Sequence, residues 1–277
     1  MTQQRPWLAS YGDVPAQIDP DAYPSVVAML EEAMRKYADK PAFVSFGQRL
    51  SFAEVNRLSA RFASYLQREL GVVKGDRIAV MTPNLAAFPI VFFGMVRAGA
   101  VQVNVNPLYT PRELAYQLND AGVKTIVIFN GSTPTLAEVV KETPITHIIG
   151  VSPGDGLQAT LPTPPVDARL SGVRPLGEIL REGAPLDYVA PAIGGDDLLF
   201  LQYTGGTTGL SKGASLSHRN LVANTEQYKA FMRETFTPGE DVVVTALPLY
   251  HIFALMVNLI SYFSVGAQNW LVANPRD

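Results

Sequence analysis

An eleven-residue run, Tyr203-Thr204-Gly205-Gly206-Thr207-Thr208-Gly209-Leu210-Ser211-Lys212-Gly213, gathers the residue types that hold a polyphosphate. Its glycines let the backbone turn and bring N–H groups close to phosphate oxygens. The threonine hydroxyls donate further bonds, and Lys212 adds one mobile positive charge. A magnesium ion can share such hydroxyls. Glycine and threonine clusters are also ordinary turn material. The order that ends in a lysine favours the phosphate reading.

Two commoner phosphate motifs fail on residues. A Walker loop needs glycine before its lysine and serine or threonine after it, whereas Ser211 precedes Lys212 and Gly213 follows. A dinucleotide fingerprint needs glycine where Thr204 stands. The run also leads into Ala214-Ser215-Leu216-Ser217, which reads as a strand, so no helix dipole is implied at the phosphates.

A second candidate, His251, opens an apolar helix after Pro248-Leu249-Tyr250. On residue type alone it reads as a helix cap or a core residue. His218 reads as structural, closing a strand-to-helix turn, and nothing marks out His147.

The elements around these residues alternate. Ser25 caps a helix carrying Val26, Leu30, Ala33, Met34 and Tyr37 on one face. A hairpin turning at Gly47-Gln48 follows, then a capping box in Ser51-Phe52-Ala53-Glu54 and a helix ended by Gly71. Strands are expected at 77–81, 101–105, 123–129 and 147–151, with helices between them. The helix opened by the capping box Thr110-Pro111-Arg112-Glu113 is closed by Gly122. The proline- and glycine-rich stretch 152–166 is a surface loop. Strand 197–203 enters the phosphate run, strand 214–217 leaves it, and a helix occupies 219–232. A second unit has strand 241–247, helix 251–265 and strand 268–273. This βαβα order predicts an α/β fold of largely parallel sheets flanked by helices. It divides into a helical and hairpin segment at 1–76, a first α/β subdomain at 77–232, and the start of a second at 233–277.

With 47% hydrophobic and 17% charged residues, disordered and fibrous classes are excluded. Lys and Arg number 22 against 25 Asp and Glu, with no long block of like charge, which argues against nucleic acid as a partner. The absence of cysteine rules out a disulfide scaffold, thiolate metal sites and a cysteine nucleophile, and it fits a reducing compartment. No export signal is expected in the first thirty residues, and the longest apolar stretch, 252–267, is interrupted by Asn258, Ser261 and Ser264. A cytoplasmic setting is the expectation.

The run 203–213 resembles the phosphate-binding signature of the adenylate-forming enzymes, the superfamily of acyl-CoA synthetases, adenylation domains and firefly luciferase. Four further segments resemble bacterial long-chain fatty-acyl-CoA ligases: Asn104-Val105-Asn106-Pro107-Leu108-Tyr109-Thr110-Pro111-Arg112-Glu113-Leu114, Leu201-Gln202-Tyr203, Ser217-His218-Arg219-Asn220-Leu221, and Ala246-Leu247-Pro248-Leu249-Tyr250-His251-Ile252-Phe253-Ala254-Leu255. The likeness runs from near Asp19 to Asp277.

The resemblance implies a two-step reaction on a long-chain fatty acid. The carboxylate attacks the α-phosphorus of ATP and releases pyrophosphate; the thiol of coenzyme A then displaces AMP. It also implies that Thr204 contacts Mg2+, and that Tyr203, Thr204, Gly205, Gly206, Thr207, Thr208, Gly209, Lys212 and Gly213 form the nucleotide loop. Lys212 and His251 carry catalytic roles in this reading, His251 beside the adenylate and the acyl entrance. Phe253, Leu255, Met256 and Leu259 are candidates for an acyl channel, core packing being the alternative. Some relatives carry a gating tryptophan where this chain has Leu255. Family members are roughly twice as long, so the chain is expected to be an N-terminal portion lacking the acidic Mg2+ ligand, the ribose aspartate, the hinge and the C-terminal domain with its lysine. Another carboxylic acid substrate, or a non-catalytic nucleotide or lipid module, is the rival reading. Peripheral membrane contact and a homodimer are left open.

Overall fold

In this computed structural model the described residues are 5–205 and 211–274. Ser25 starts the first helix as its position suggests. Its Oγ accepts the Ala28 N–H at 3.3 Å, and α1 (Val26–Lys36) buries Met29, Leu30, Ala33 and Met34 along one face. Strands β1 (Pro41–Ser45) and β2 (Gln48–Ser51) then pair antiparallel. Their two-residue turn is Phe46-Gly47, one position before the expected Gly47-Gln48. Both turn residues have positive φ, 48° and 74°, the geometry that matches the strands' twist. The Ser51–Glu54 capping box starts α2 (Phe52–Arg68).

The alternation continues through β3 (Arg77–Met81), α3 (Ala87–Arg97), β4 (Val101–Asn104), α4 (Pro111–Ala121), β5 (Thr125–Phe129), α5 (Thr133–Val139) and β6 (His147–Val151). The Thr110–Glu113 capping box opens α4, and Gly122, at φ 62°, ends it. Val123 donates its N–H to Leu118 O at 3.1 Å, so this residue serves the helix end and β5 begins later than expected.

A three-residue strand, β7 (Val173–Pro175), was not legible because it is too short to alternate and ends in proline, which is tolerated at a sheet edge. After α6 (Leu176–Ile179) come β8 (Leu198–Thr204), β9 (Lys212–Ser217), α7 (His218–Met232) and β10 (Val242–Thr245). Helix α8 (Ile252–Ala254) passes through wide i→i+5 turns at Leu255–Ser261 into α9 (Tyr262–Ser264), and β11 (Gln268–Leu271) follows. The expected single helix is widened where the Asn258 carbonyl accepts the Asn269 side-chain N–H at 2.8 Å.

Seven strands form one sheet in the order β7-β6-β5-β3-β4-β8-β9, with every neighbour parallel except β9 against β8. The remaining four form a second sheet, β10-β11-β1-β2. The N-terminal hairpin thus joins the last two strands, through Phe43 beside Asn269 and Val44 beside Trp270. Fold class α/β, with parallel sheets and flanking helices, matches the sequence expectation. One core unites α1, α2, α3 and the 252–264 helix between the sheets; a second lies under α4 and α5. Among the described residues no helix is long and apolar enough to cross a membrane.

Candidate active site

The carboxyl ends of five parallel strands meet around a cavity of about 630 Å3. Pro83 and Asn84 follow β3, Pro107 and Leu108 follow β4, and Gly131 and Ser132 follow β5; Ala246 and Pro248 follow β10, and Val272 follows β11. The chain passes from β3 to β4 on one side and returns to β5 on the other. The cavity therefore sits at a topological switch point, where open α/β sheets bind ligands. Asn84, 3% exposed, ties the two sheets together at its floor. Its amide donates to Thr245 O at 3.0 Å and Leu247 O at 2.9 Å and accepts the Leu249 N–H at 2.8 Å. Most of the lining is apolar, which suits a hydrocarbon group better than a charged one.

Thr204 and Lys212 form the last rung of the β8–β9 hairpin, and both are exposed. Ser211 Oγ donates to Thr204 O at 2.8 Å, so the two ends of the turn are held together. Gly205 is exposed, and a Cβ there would meet nothing within 4 Å. Gly213 has a packing reason to be glycine: a Cβ would stand 3.0 Å from the Tyr203 ring. Tyr203 itself is 8% exposed, and its hydroxyl donates to Asp120 at 2.5 Å. Burial and the Asp120 carboxylate hold that phenol well above its usual pKa, so it stays a protonated donor. Its side chain therefore supports the turn from beneath, while Thr204, Gly205 and Lys212 face outward. The predicted contacts Gly206, Thr207, Thr208 and Gly209 lie outside the described residues.

His251 is exposed and caps α8, its Nδ1 accepting the Phe253 N–H at 3.4 Å. It follows Tyr250, a cavity residue whose carbonyl accepts from Gln202 Nε2 at 3.4 Å. Gln202 belongs to a buried amide ladder: Gln102 Nε2 donates to Asn104 Oδ1 at 2.6 Å and Asn104 Nδ2 to Gln202 Oε1 at 2.8 Å. Polar residues in fully buried strands were the available signal for this ladder. Tyr109 stands between the cavity and the turn, its hydroxyl against Ser211 and near Tyr250. Of the candidate channel residues, Leu255, Met256 and Leu259 are buried in the main core and Phe253 is 56% exposed. His218 is buried, accepts the Val26 N–H at 3.3 Å, and is pushed down to a pKa of about 4 by burial, so it is neutral and structural. Among the described residues no group of three or more His, Asp or Glu converges that could hold a metal ion.

Beyond β6, Asp155 accepts the Ser152 N–H at 2.8 Å and is pushed up to about 6 by burial. A carboxyl raised on folding makes the native state bind more protons than the unfolded chain. Its stabilising contribution is present below the unfolded pKa of 3.8 and is lost as pH rises through about 6. Asp155→Asn keeps the acceptor for Ser152 and removes the titration. We expect it to raise stability at pH 7.5 by on the order of 1 kcal/mol, with no gain at pH 4, as measured by denaturant unfolding at the two pH values. Equal effects at both would assign the shift to another group.

Residues 30–277 match the family of AMP-binding enzymes. The long-chain-fatty-acid–CoA ligase of Salmonella typhimurium is 47% identical over 98% of this chain and 50% of its own length. The chain thus spans about half the length of the curated relatives it matches. Among solved structures, apo MbtA of Mycobacterium smegmatis superposes with a TM-score of 0.76 at 26% identity, over 98% of this chain and 46% of that one. The anthranilate CoA ligase AuaEII, at 22% identity and TM-score 0.78, covers 93% of this chain and 47% of its own, and shares the fold. A family match over most of the residues, on a fold that opens a cavity at its sheet ends beside a threonine- and lysine-bearing turn, places this chain in the AMP-binding enzyme family.

Proposed function

We propose that this chain supplies the ATP phosphate loop and part of the acyl pocket of an AMP-forming long-chain fatty-acid:CoA ligase. The observation that carries the reading is the adjacency of two unlike surfaces. An apolar cavity lined by Leu108 and Tyr250 is joined through Tyr109, whose hydroxyl lies against Ser211, to a turn whose exposed ends are Thr204 and Lys212. The 47% identity to a curated long-chain-fatty-acid–CoA ligase supports a long-chain acid as the substrate.

The chemistry asks for this pairing. A carboxylate oxygen must approach the α-phosphorus of ATP while pyrophosphate leaves, and both partners are anions. The Lys212 ammonium and backbone N–H groups of the turn offset that repulsion and hold the phosphates in line. The cavity holds the hydrocarbon chain and excludes water. Thr204 fits Mg2+ as one neutral oxygen ligand, and the remaining ligands would be phosphate oxygens and groups outside the described residues. The ion supplies charge neutralisation at the phosphates. In the second half-reaction the thiolate of coenzyme A attacks the acyl carbonyl and AMP departs. His251, exposed at the start of α8, is placed beside the acyl entrance in this reading.

The test is thioester formation from ATP, CoA and a series of medium-chain, long-chain and aryl acids by the full-length enzyme to which this half belongs. Highest kcat/KM on long-chain acids is the expected result; preference for an aryl or medium-chain acid would replace the substrate class. The 277 residues alone are expected to show ATP–pyrophosphate exchange at least about 100-fold below the full enzyme, because electrostatic and positioning groups on the other half are missing.

A further inference from the structure

Helix α4 touches both ends of the turn. Asp120, on its last turn, accepts the Tyr203 hydroxyl on the entering strand; Tyr116, one helical turn earlier, donates its hydroxyl to Ser211 O on the leaving side at 3.0 Å. The i,i+4 spacing puts both side chains on one face of α4. Ser211 Oγ closes the pair by donating to Thr204 O at 2.8 Å. The helix is itself fixed at three points. Its start is locked by the Thr110–Glu113 box, its end by Gly122, and its middle by Gln117 Nε2, which donates to Asn104 O at 2.7 Å at the carboxyl end of β4.

We propose that α4 is the platform that sets the separation and orientation of Thr204 and Ser211, with Tyr116 and Asp120 acting as positioning residues for the triphosphate. The proposal rests on reading the turn as nucleotide-binding and adds the device that holds its two ends. A glycine-rich turn has a large conformational entropy, and a ligand that orders it loses affinity by that amount. Anchoring both ends to a rigid helix removes part of the cost before ATP arrives. Both contacts are part-buried: Asp120 is exposed and Tyr116 half-buried, while the Tyr203 ring belongs to the hydrophobic core that α4 covers with Leu114, Leu118 and Ala121, so the exchange rates of β3 and β5 are needed to separate local loosening from a loss of core packing.

Two measurements test it separately from the function. In the 277-residue chain without nucleotide, Tyr116→Phe and Asp120→Ala should each speed amide hydrogen exchange at the last rung, Thr204 and Lys212, by about five-fold, while amides of β3 and β5 keep the wild-type rate. Asn119→Ala, on the same helix but bonded to Ala115 O and Glu142 O, should change neither. In the full-length enzyme the double variant should raise KM for ATP about ten-fold with kcat within about two-fold, the signature of a lost ordering contribution to binding. Unchanged exchange at the last rung overturns the proposal whatever the kinetics show, and so does a fall in kcat at constant KM. Faster exchange in a protein whose wild type binds no ATP leaves the platform standing and overturns the nucleotide reading instead.

Discussion

Lys212→Ala is expected to lower thioester formation by the full-length enzyme by about 100- to 1,000-fold, the range for removing one hydrogen-bond donor aimed at charge that develops in a transition state. The same substitution should leave the melting temperature within about 2 °C, since isolated surface changes rarely exceed about 0.5 kcal/mol. The structure separates the two effects. Lys212 is exposed on the final rung of the β8–β9 hairpin, and its side chain makes no hydrogen bond or ion pair among the described residues. A cation without an internal partner contributes little to folding and remains available to an anionic ligand. Full-length Lys212→Ala that makes thioester at the wild-type rate would rule out catalysis through this turn and leave a non-catalytic binding module.

Phe263→Ala should cost about 3–5 kcal/mol, a fall in melting temperature of roughly 10 °C for a chain of this size. Phe263 is fully buried, with ring centroids 4.4 Å from Phe52, 4.7 Å from Phe93 and 5.7 Å from Phe43. Those partners lie on α2, α3 and β1, so this one ring fastens the helix that follows His251 to elements packed against both sheets. Removing it leaves a cavity that three rigid aromatic neighbours cannot collapse to fill. Calorimetry on wild type and variant gives the number. A shift below about 3 °C would mean that the sheets are held together elsewhere, for example through Asn84.

Local features were legible wherever the deciding contact lies within a few residues. The Ser51–Glu54 and Thr110–Glu113 boxes, the Ser25 cap and the left-handed Gly122 all follow from neighbours along the chain, and all stand where the sequence places them. Strands 77–81 and 147–151 were bounded correctly because their apolar runs are short and flanked by breakers. The turn at Phe46-Gly47 was misplaced by one residue, since its register depends on which strand pair closes it, Ser45 with Gln48. The site divides the same way. Residue type marks Thr204, Gly205, Lys212 and Gly213 as candidates, but it does not show that the Tyr203 hydroxyl, in the same run, donates to Asp120, more than eighty residues away in sequence. Tyr116, Asp120 and Asn84 carried no local mark, because their partners are distant in sequence.

The sequence by itself determined most of the secondary elements and the parallel α/β class, since each is set by side chains within one or two turns of backbone. Only the tertiary structure decided that the N-terminal hairpin completes the sheet of β10 and β11, that five strand ends surround one cavity, and that α4 grips both ends of the turn. Pairings such as Phe43 with Asn269 are chosen by the burial summed over the whole core, a quantity no short window of residues contains.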